Sequence, residues 1–218
     1  EAINKVYQLT TKWSFVLSFP AFLLLTVFAG DVLALVFGPA YREGALALVV
    51  LSVGLFASAS LGRNRETLSA LGRTNWVLVA DTTALATNLV VNLALIPPYG
   101  YVGAAVASMV AFLARNALIY AVLRVNYGIT PFSPEVVRMY TLLPLVTLPP
   151  AFYLSKDVTL TVWLVPVVLV VTGLVTLVLV VATGSVQALD AVAVEFVEDR
   201  IGVEIPLVRR FLPAREGS

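Results

Sequence analysis

The feature that most constrains this chain is a series of long apolar runs separated by short polar connections. A helix needs about 20 mostly apolar residues to cross a bilayer, and runs of that order recur from residue 13 onward. We predict six membrane-spanning helices, at about residues 13–37, 44–71, 76–96, 101–124, 139–154 and 159–182. The fifth is the weakest, because Pro144, Pro149 and Pro150 interrupt it.

Composition supports a lipid environment for most of the chain. Hydrophobic residues make up 60% of the 218 residues and charged residues 12%, whereas soluble domains are about a quarter charged. We therefore predict an all-α integral membrane protein with a six-helix transmembrane lobe at 1–183. Residues 184–218 are predicted to form a cytoplasmic amphipathic, interfacial tail, with a merely solvated acidic tail as the alternative.

The basic residues predict the orientation of the spans. If the six spans alternate, one side receives twelve of the fourteen lysines and arginines, and the other side receives Arg42 and Lys156. The twelve are Lys5, Lys12, Arg63, Arg65, Arg73, Arg115, Arg124, Arg138, Arg200, Arg209, Arg210 and Arg215. Positive charge favours the cytoplasmic side, so we expect a cytoplasmic (plasma) membrane protein with both termini cytoplasmic.

The residue inventory argues against catalysis. The chain contains no His and no Cys, which removes imidazole bases, thiol nucleophiles and the commonest zinc ligands. It has no Gly-rich phosphate loop, and its carboxylates are too dispersed to suggest a paired acid and base. We expect no enzyme activity, no cofactor, no metal ion and no nucleic-acid partner.

A tight hairpin is predicted between the third and fourth spans. Pro97 and Pro98 lack N–H donors and disfavour a continuing helix, and Gly100 can supply the turn. Gly103, Ala107 and Ala111 then recur every four residues. Such small residues allow a close approach between membrane helices.

Three segments in register resemble a known family. They are FGPAYREGALALVVLSVG, then ETLSALGRTN, then NLVVNLALIPPYGYVGAAVAS. In that order they resemble the second half of polysaccharide-export flippases, in the multidrug/oligosaccharidyl-lipid/polysaccharide exporter (MATE-like) superfamily. The resemblance implies half of a two-lobe transporter, in which two six-helix lobes surround a central cavity. It also implies a lipid-pyrophosphate-linked glycan as substrate and membrane lipids as surroundings.

The chain starts at Glu1 and not at Met. With the resemblance, this predicts a fragment, the C-terminal lobe alone. The N-terminal six-helix lobe would then lie in the same chain or in a separate one.

Asn88 and Asn92 are polar candidates within the third span. They are four residues apart and share one helical face. They either form hydrogen bonds across helices and fix their register, or line the path of the sugar.

The most polar stretch before the tail is GRNRETLSALGR, at 62–73. Arg63, Glu66, Thr67 and Ala70 fall on one helical face, with Arg65 nearly opposite Arg63. The arginines either snorkel to the inner headgroups or, with Asn64 and Glu66, enter a wet vestibule. In the second case a guanidinium can bind a lipid pyrophosphate in bidentate fashion. The predicted substrate-path residues are therefore Arg63, Asn64, Arg65, Glu66, Thr67, Asn88 and Asn92.

Asp81 lies about five residues into the third span. It is either a carboxylate that couples transport to a cation or proton, or an ion-pair partner of Arg73 or Arg63.

Three functions are compatible with this sequence. The first is flipping of a lipid-linked oligosaccharide by alternating access. The second is cation-coupled export of small molecules, and the third is a non-transporting structural subunit. A membrane enzyme of glycan assembly would need a large outer loop with polar catalytic residues, which the short outer connections do not provide.

Overall fold

The structure is a computed structural model, and it describes residues 2–182. Helix accounts for 89% of these residues, and they contain no strand. The helices are α1 Ala2–Val27, α2 Ala29–Phe37, α3 Ala45–Ser60, α4 Asn64–Ala70, α5 Thr74–Tyr127, α6 Pro134–Leu154 and α7 Leu164–Ala182. Short 3₁₀ helices at Pro39–Gly44 and Ser155–Asp157 complete the connections. The tail predicted at 184–218 lies outside the described residues.

Several helices are long and apolar enough to cross a membrane. Within the described residues they are the segments Ile3–Val27, Pro39–Ala70, Thr74–Tyr127 and Leu164–Ala182. α6 is not among them, in keeping with the weakness of the fifth predicted span. Several of the long apolar helices predicted from the sequence are thus present, and the count of six spans stays a prediction.

The hairpin within α5 is confirmed. Gly100 has φ +56° and ψ −133°, a left-handed conformation that interrupts the helix. At the closed end of the hairpin, a Cβ added to Gly103 would lie 2.2 Å from the carbonyl oxygen of Leu95. At the open end, Arg73 Nε donates a hydrogen bond to Tyr127 Oη over 2.7 Å. We call residues 74–99 and 101–127 the first and second arms of α5.

Two details of this hairpin differ from the prediction. Helical geometry continues through Pro97 and Pro98, and the break falls at Gly100. Proline is tolerated here because the helix ends within two residues, so few hydrogen bonds are lost. The small-residue stripe is confirmed, since Gly103, Ala107 and Ala111 are all buried.

α1 is the central helix of the described fold. It starts at Ala2 and bends at Phe28 before α2, whereas a single span at 13–37 was expected. The ring of Phe15 contacts that of Phe56 in α3 at 4.9 Å and that of Tyr140 in α6 at 4.1 Å. On another side, α1 approaches α7, where Pro20 faces Gly173.

The connections gather at two opposite ends of the helices. At one end Asn4 Oδ1 accepts a hydrogen bond from the Thr130 backbone N–H over 2.9 Å. The turn before α5 and the link after it meet the N-terminal residues there, and we call this the basic end because it carries Lys5 and Arg73. At the opposite end Asp31 accepts from the Leu160 N–H over 2.9 Å. Within the described residues, the N-terminus and the link at Thr130 thus lie at one end, and the connections at Asp31 and Leu160 lie at the other.

Candidate functional site: a polar cavity beside a broken helix

The second predicted span is interrupted. α3 ends at Ser60 and α4 begins at Asn64, whereas a continuous helix to about Leu71 was expected. The cause is Gly62, which has φ +67° and therefore leaves the right-handed helix. A Cβ on Gly62 would lie 2.0 Å from Thr11 Oγ1 and 2.9 Å from Thr11 Cα, so α1 packs directly onto the break.

Two tyrosines satisfy the carbonyls that the break exposes. The last carbonyls of a helix lack intrahelical partners. Tyr7 Oη donates to the Leu61 carbonyl over 2.7 Å, and Tyr140 Oη donates to the Ser60 carbonyl. Hydrogen bonds from α1 on one side and α6 on the other therefore stabilise the break.

A polar cavity of about 490 Å³ opens beside the break. Its lining residues are Ser14, Leu55, Ser58, Ala59, Gly62, Arg63, Asn64, Arg65, Glu66, Arg115 and Asn116. Four of the predicted substrate-path residues, those at 63–66, are thus brought together in one cavity. The second arm of α5 contributes Arg115 and Asn116, which were not singled out from the sequence.

The two arginines of the predicted site are each paired with a carboxylate. Arg63 Nη2 lies 3.3 Å from Glu66 Oε1, and both side chains are more than half exposed. Arg65 Nη2 lies 2.9 Å from Asp81 Oδ2. The expectation of a pair for Asp81 is confirmed, but the expected partners, Arg63 and Arg73, were wrong. Asp81 pairs with Arg65 because α4 packs alongside the first arm of α5.

Thr67 lies in a neighbouring groove and not in the polar cavity. This groove has a volume of about 430 Å³ and is also lined by Arg63, Glu66 and Ala70. The predicted common face of these four residues is therefore confirmed. Thr67 Oγ1 donates to the Arg63 carbonyl over 2.9 Å, so it supports the backbone of Arg63 and not its guanidinium.

Buried amides connect three helical segments at the cavity. Asn64 Nδ2 donates to Asn116 Oδ1 over 2.8 Å. Asn116 Nδ2 donates to Ser58 Oγ over 2.8 Å and to the Phe112 carbonyl over 2.7 Å. Asn64 is 3% exposed and Asn116 is 2% exposed. Such interhelical bonds are worth on average about 0.6 kcal/mol each in membrane proteins, and here they fix α3, α4 and the second arm in register.

Asn88 and Asn92 lie away from the polar cavity, in the first arm of α5. Asn92 Nδ2 donates to Asn88 Oδ1 over 2.9 Å, one turn apart. Of the two alternatives, hydrogen bonds across helices are not seen for this pair within the described residues, where the two side chains bond along their own helix. Asn92 Oδ1 is buried without a hydrogen-bond partner among the described residues.

The cavity offers donors for an anion and little for a metal ion. Within residues 2–182 no group of three or more acidic or sulfur and imidazole ligands is placed to hold a metal. The cavity lining instead combines three guanidinium groups with one carboxylate and two amides. This arrangement can bind a phosphate group, since guanidinium forms charge-assisted bidentate hydrogen bonds to phosphate oxygens.

Comparison with known proteins finds a partial similarity to a flippase. The chain is 31% identical over 121 residues to a probable low-salt glycan biosynthesis flippase, Agl15, of Haloferax volcanii. The match covers 54% of this chain and 25% of that protein, so this chain spans about a quarter of the relative's length. No family model matches the chain, and no solved structure does.

Proposed function

We propose that this chain is the C-terminal lobe of a MATE-like flippase that moves a lipid-linked oligosaccharide across the cytoplasmic membrane. The observation that carries the proposal is the polar cavity at 62–66. It places arginines and buried amides beside a broken helix, in a chain similar to a glycan flippase. Polar groups at membrane depth are costly and mark transport pathways. Alternating access would expose this cavity first to the inner and then to the outer leaflet.

We propose six spans, with the two arms of α5 and helix α6 counted among them. Each arm is about 40 Å long at 1.5 Å per residue, enough to cross the hydrocarbon core of about 30 Å. The basic end would face the cytoplasm and carry both termini.

Cysteine accessibility tests this topology directly, because residues 1–218 contain no Cys. Glu43→Cys at the opposite end should react with an impermeant maleimide only from outside. Thr74→Cys at the basic end should react only after permeabilisation. Labelling of residue 43 from the cytoplasmic side alone would contradict the topology.

We propose that Arg63 and Arg65 clamp the pyrophosphate of the substrate, with Asn64 and Glu66 in the same cavity. Thr67 would hold the Arg63 backbone, and Asn88 and Asn92 would lie along the path of the sugar. An anion that binds Arg65 would compete with Asp81, now 2.9 Å away. The released carboxylate could then accept a cation, which is our proposal for Asp81 in energy coupling.

The decisive test is transport by the protein purified from its native membrane. Under this proposal, that source would supply the N-terminal lobe, whether it belongs to the same chain or to a separate one. In proteoliposomes, a fluorescent lipid-linked oligosaccharide should become inaccessible to an impermeant glycosidase at a rate above that of protein-free vesicles. A rate equal to protein-free vesicles, from protein that is folded and correctly inserted, would refute the proposal.

A further inference from the structure

Arg115 lies well within the second arm of α5, away from both ends of the arm. It is 15 residues from the turn at Gly100 and 12 residues from Tyr127 at the basic end. At 1.5 Å per residue these separations are about 22 Å and about 18 Å. The sequence pattern assigned Arg115 to the basic side only because that end of the span was nearer. Within the described structure it lies about midway along the second arm.

Arg115 is also the cavity arginine without a carboxylate partner in the described chain. Its guanidinium lies 5.7 Å from the ring centroid of Phe112. Arg63 and Arg65 each have a carboxylate within 4 Å, while residues 2–182 show no such pair for Arg115. Its side chain is half-buried, and Arg115 is one of the residues that line the polar cavity.

The neighbouring residue, Asn116, fixes the backbone of the second arm at Arg115. Asn116 is buried and bonded to Asn64 of α4 and Ser58 of α3. These contacts fix the second arm against the broken helix at the level of Arg115. A preorganised cation loses less conformational entropy when it binds a ligand.

We propose that Arg115 is the primary contact for the phosphate group of a lipid ligand in this cavity. A guanidinium within a membrane is costly unless it is paired, and a bidentate phosphate would supply the missing negative charge. An anion that approaches Arg63 or Arg65 must displace a bound carboxylate, whereas one that approaches Arg115 displaces none. This inference rests on the proposed function for the identity of the lipid, but its test does not require transport.

Binding can be measured on the full chain in phosphatidylcholine nanodiscs by native mass spectrometry. The probes are a polyprenyl phosphate, the uncharged polyprenol of the same length, and inorganic pyrophosphate. The variants are Arg115→Gln, Arg115→Lys and the matched control Arg124→Gln, an exposed arginine two to three turns along the same helix. Monodisperse gel filtration and an unchanged melting temperature establish that each variant is folded. If Arg115→Gln does not fold, the affinity of Arg115→Lys for polyprenyl phosphate is compared with wild type instead.

We expect Arg115→Gln to weaken polyprenyl phosphate binding by about tenfold or more, the usual loss for one charged hydrogen-bonding contact. Arg115→Lys should show a smaller loss, because Lys keeps the positive charge but cannot form the bidentate hydrogen bonds of a guanidinium. Arg124→Gln should bind polyprenyl phosphate with wild-type affinity. The uncharged polyprenol should bind wild type and all variants equally. Pyrophosphate binding that also depends on Arg115 would support the anion site and assign it to phosphate chemistry in general.

Two outcomes would overturn the inference. One is wild-type affinity for polyprenyl phosphate in folded Arg115→Gln and Arg115→Lys. The other is an equal loss in Arg115→Gln and Arg124→Gln, which would indicate surface attraction. Wild-type protein that binds the phosphate through Arg115 but does not flip the lipid would refute the proposed function and leave this inference intact.

Discussion

Replacing Gly62 by Ala should damage the protein much more than replacing Gly72 by Ala. The two glycines have nearly equal backbone angles, with φ +67° and +72°. Their surroundings differ, because a Cβ on Gly72 would meet nothing within 4 Å, while one on Gly62 would strike Thr11. The pair therefore separates the cost of the backbone conformation from the cost of the contact with α1.

The magnitudes follow from these two terms. A left-handed conformation costs a non-glycine residue about 1–2 kcal/mol, and both variants incur that cost. Overpacking adds about 1–3 kcal/mol, which only Gly62→Ala incurs. Part of this term should persist in the double variant with Thr11→Ala, because Thr11 Cβ and Cα also lie under 3.0 Å from the added atom.

The free energy of unfolding can be measured by SDS titration in mixed micelles, with folded yield as a second readout. We expect Gly62→Ala to lose about 1–3 kcal/mol more than Gly72→Ala, and Thr11→Ala to restore only part of the difference. Equal losses in the two glycine variants would refute the reasoning. They would mean that α1 does not rest on the break, and that the cavity beside it is not held as described.

Three further outcomes are expected. A double-mutant cycle of Asn64→Ala and Asn116→Ala should give a coupling free energy of unfolding of about 0.6 kcal/mol, and up to about 1.7; zero coupling would contradict the buried amide bond. Gly100→Val should lower folded yield through the φ penalty alone, and a wild-type yield with selective loss of transport would instead assign Gly100 to gating. Arg63→Lys and Arg65→Lys should each slow flipping by about tenfold or more if a bidentate clamp operates, and unchanged rates in both would leave these arginines as interfacial anchors.

Features that depend on neighbouring residues in the chain could be predicted from the sequence. Apolar run length identified the long helices, and the Pro-Pro-Tyr-Gly segment identified the hairpin. Helical periodicity placed Arg63, Glu66 and Thr67 on one face, where they line a common groove. Each of these rests on local geometry, which the sequence specifies directly.

Features that depend on which helices meet could not be predicted in this way. Periodicity shows that Asn88 and Asn92 share a face, but not that they bond to each other. In the same way, the sequence predicted a basic partner for Asp81, in Arg73 or Arg63. The actual partner is Arg65, because α4 packs beside the first arm. Asn116 carried one available signal, a lone amide next to an arginine in an apolar span. The sequence also does not show which glycines interrupt a helix. Gly62 has a positive φ and ends α3, whereas Gly173 lies within the regular helix α7.

The ion pairs within the protein determine which arginine is available to an anionic ligand. The polar stretch at 62–73 drew attention to Arg63 and Arg65 because their charges cluster in sequence. Arg63 is already paired with Glu66 from the same stretch, and packing of α4 against the first arm of α5 pairs Arg65 with Asp81. The predicted span that contains Arg115, at 101–124, has no Asp or Glu, and within residues 2–182 no carboxylate pairs with Arg115. The residue whose charge is least supported by its sequence neighbours is therefore the one for which a ligand offers the largest gain.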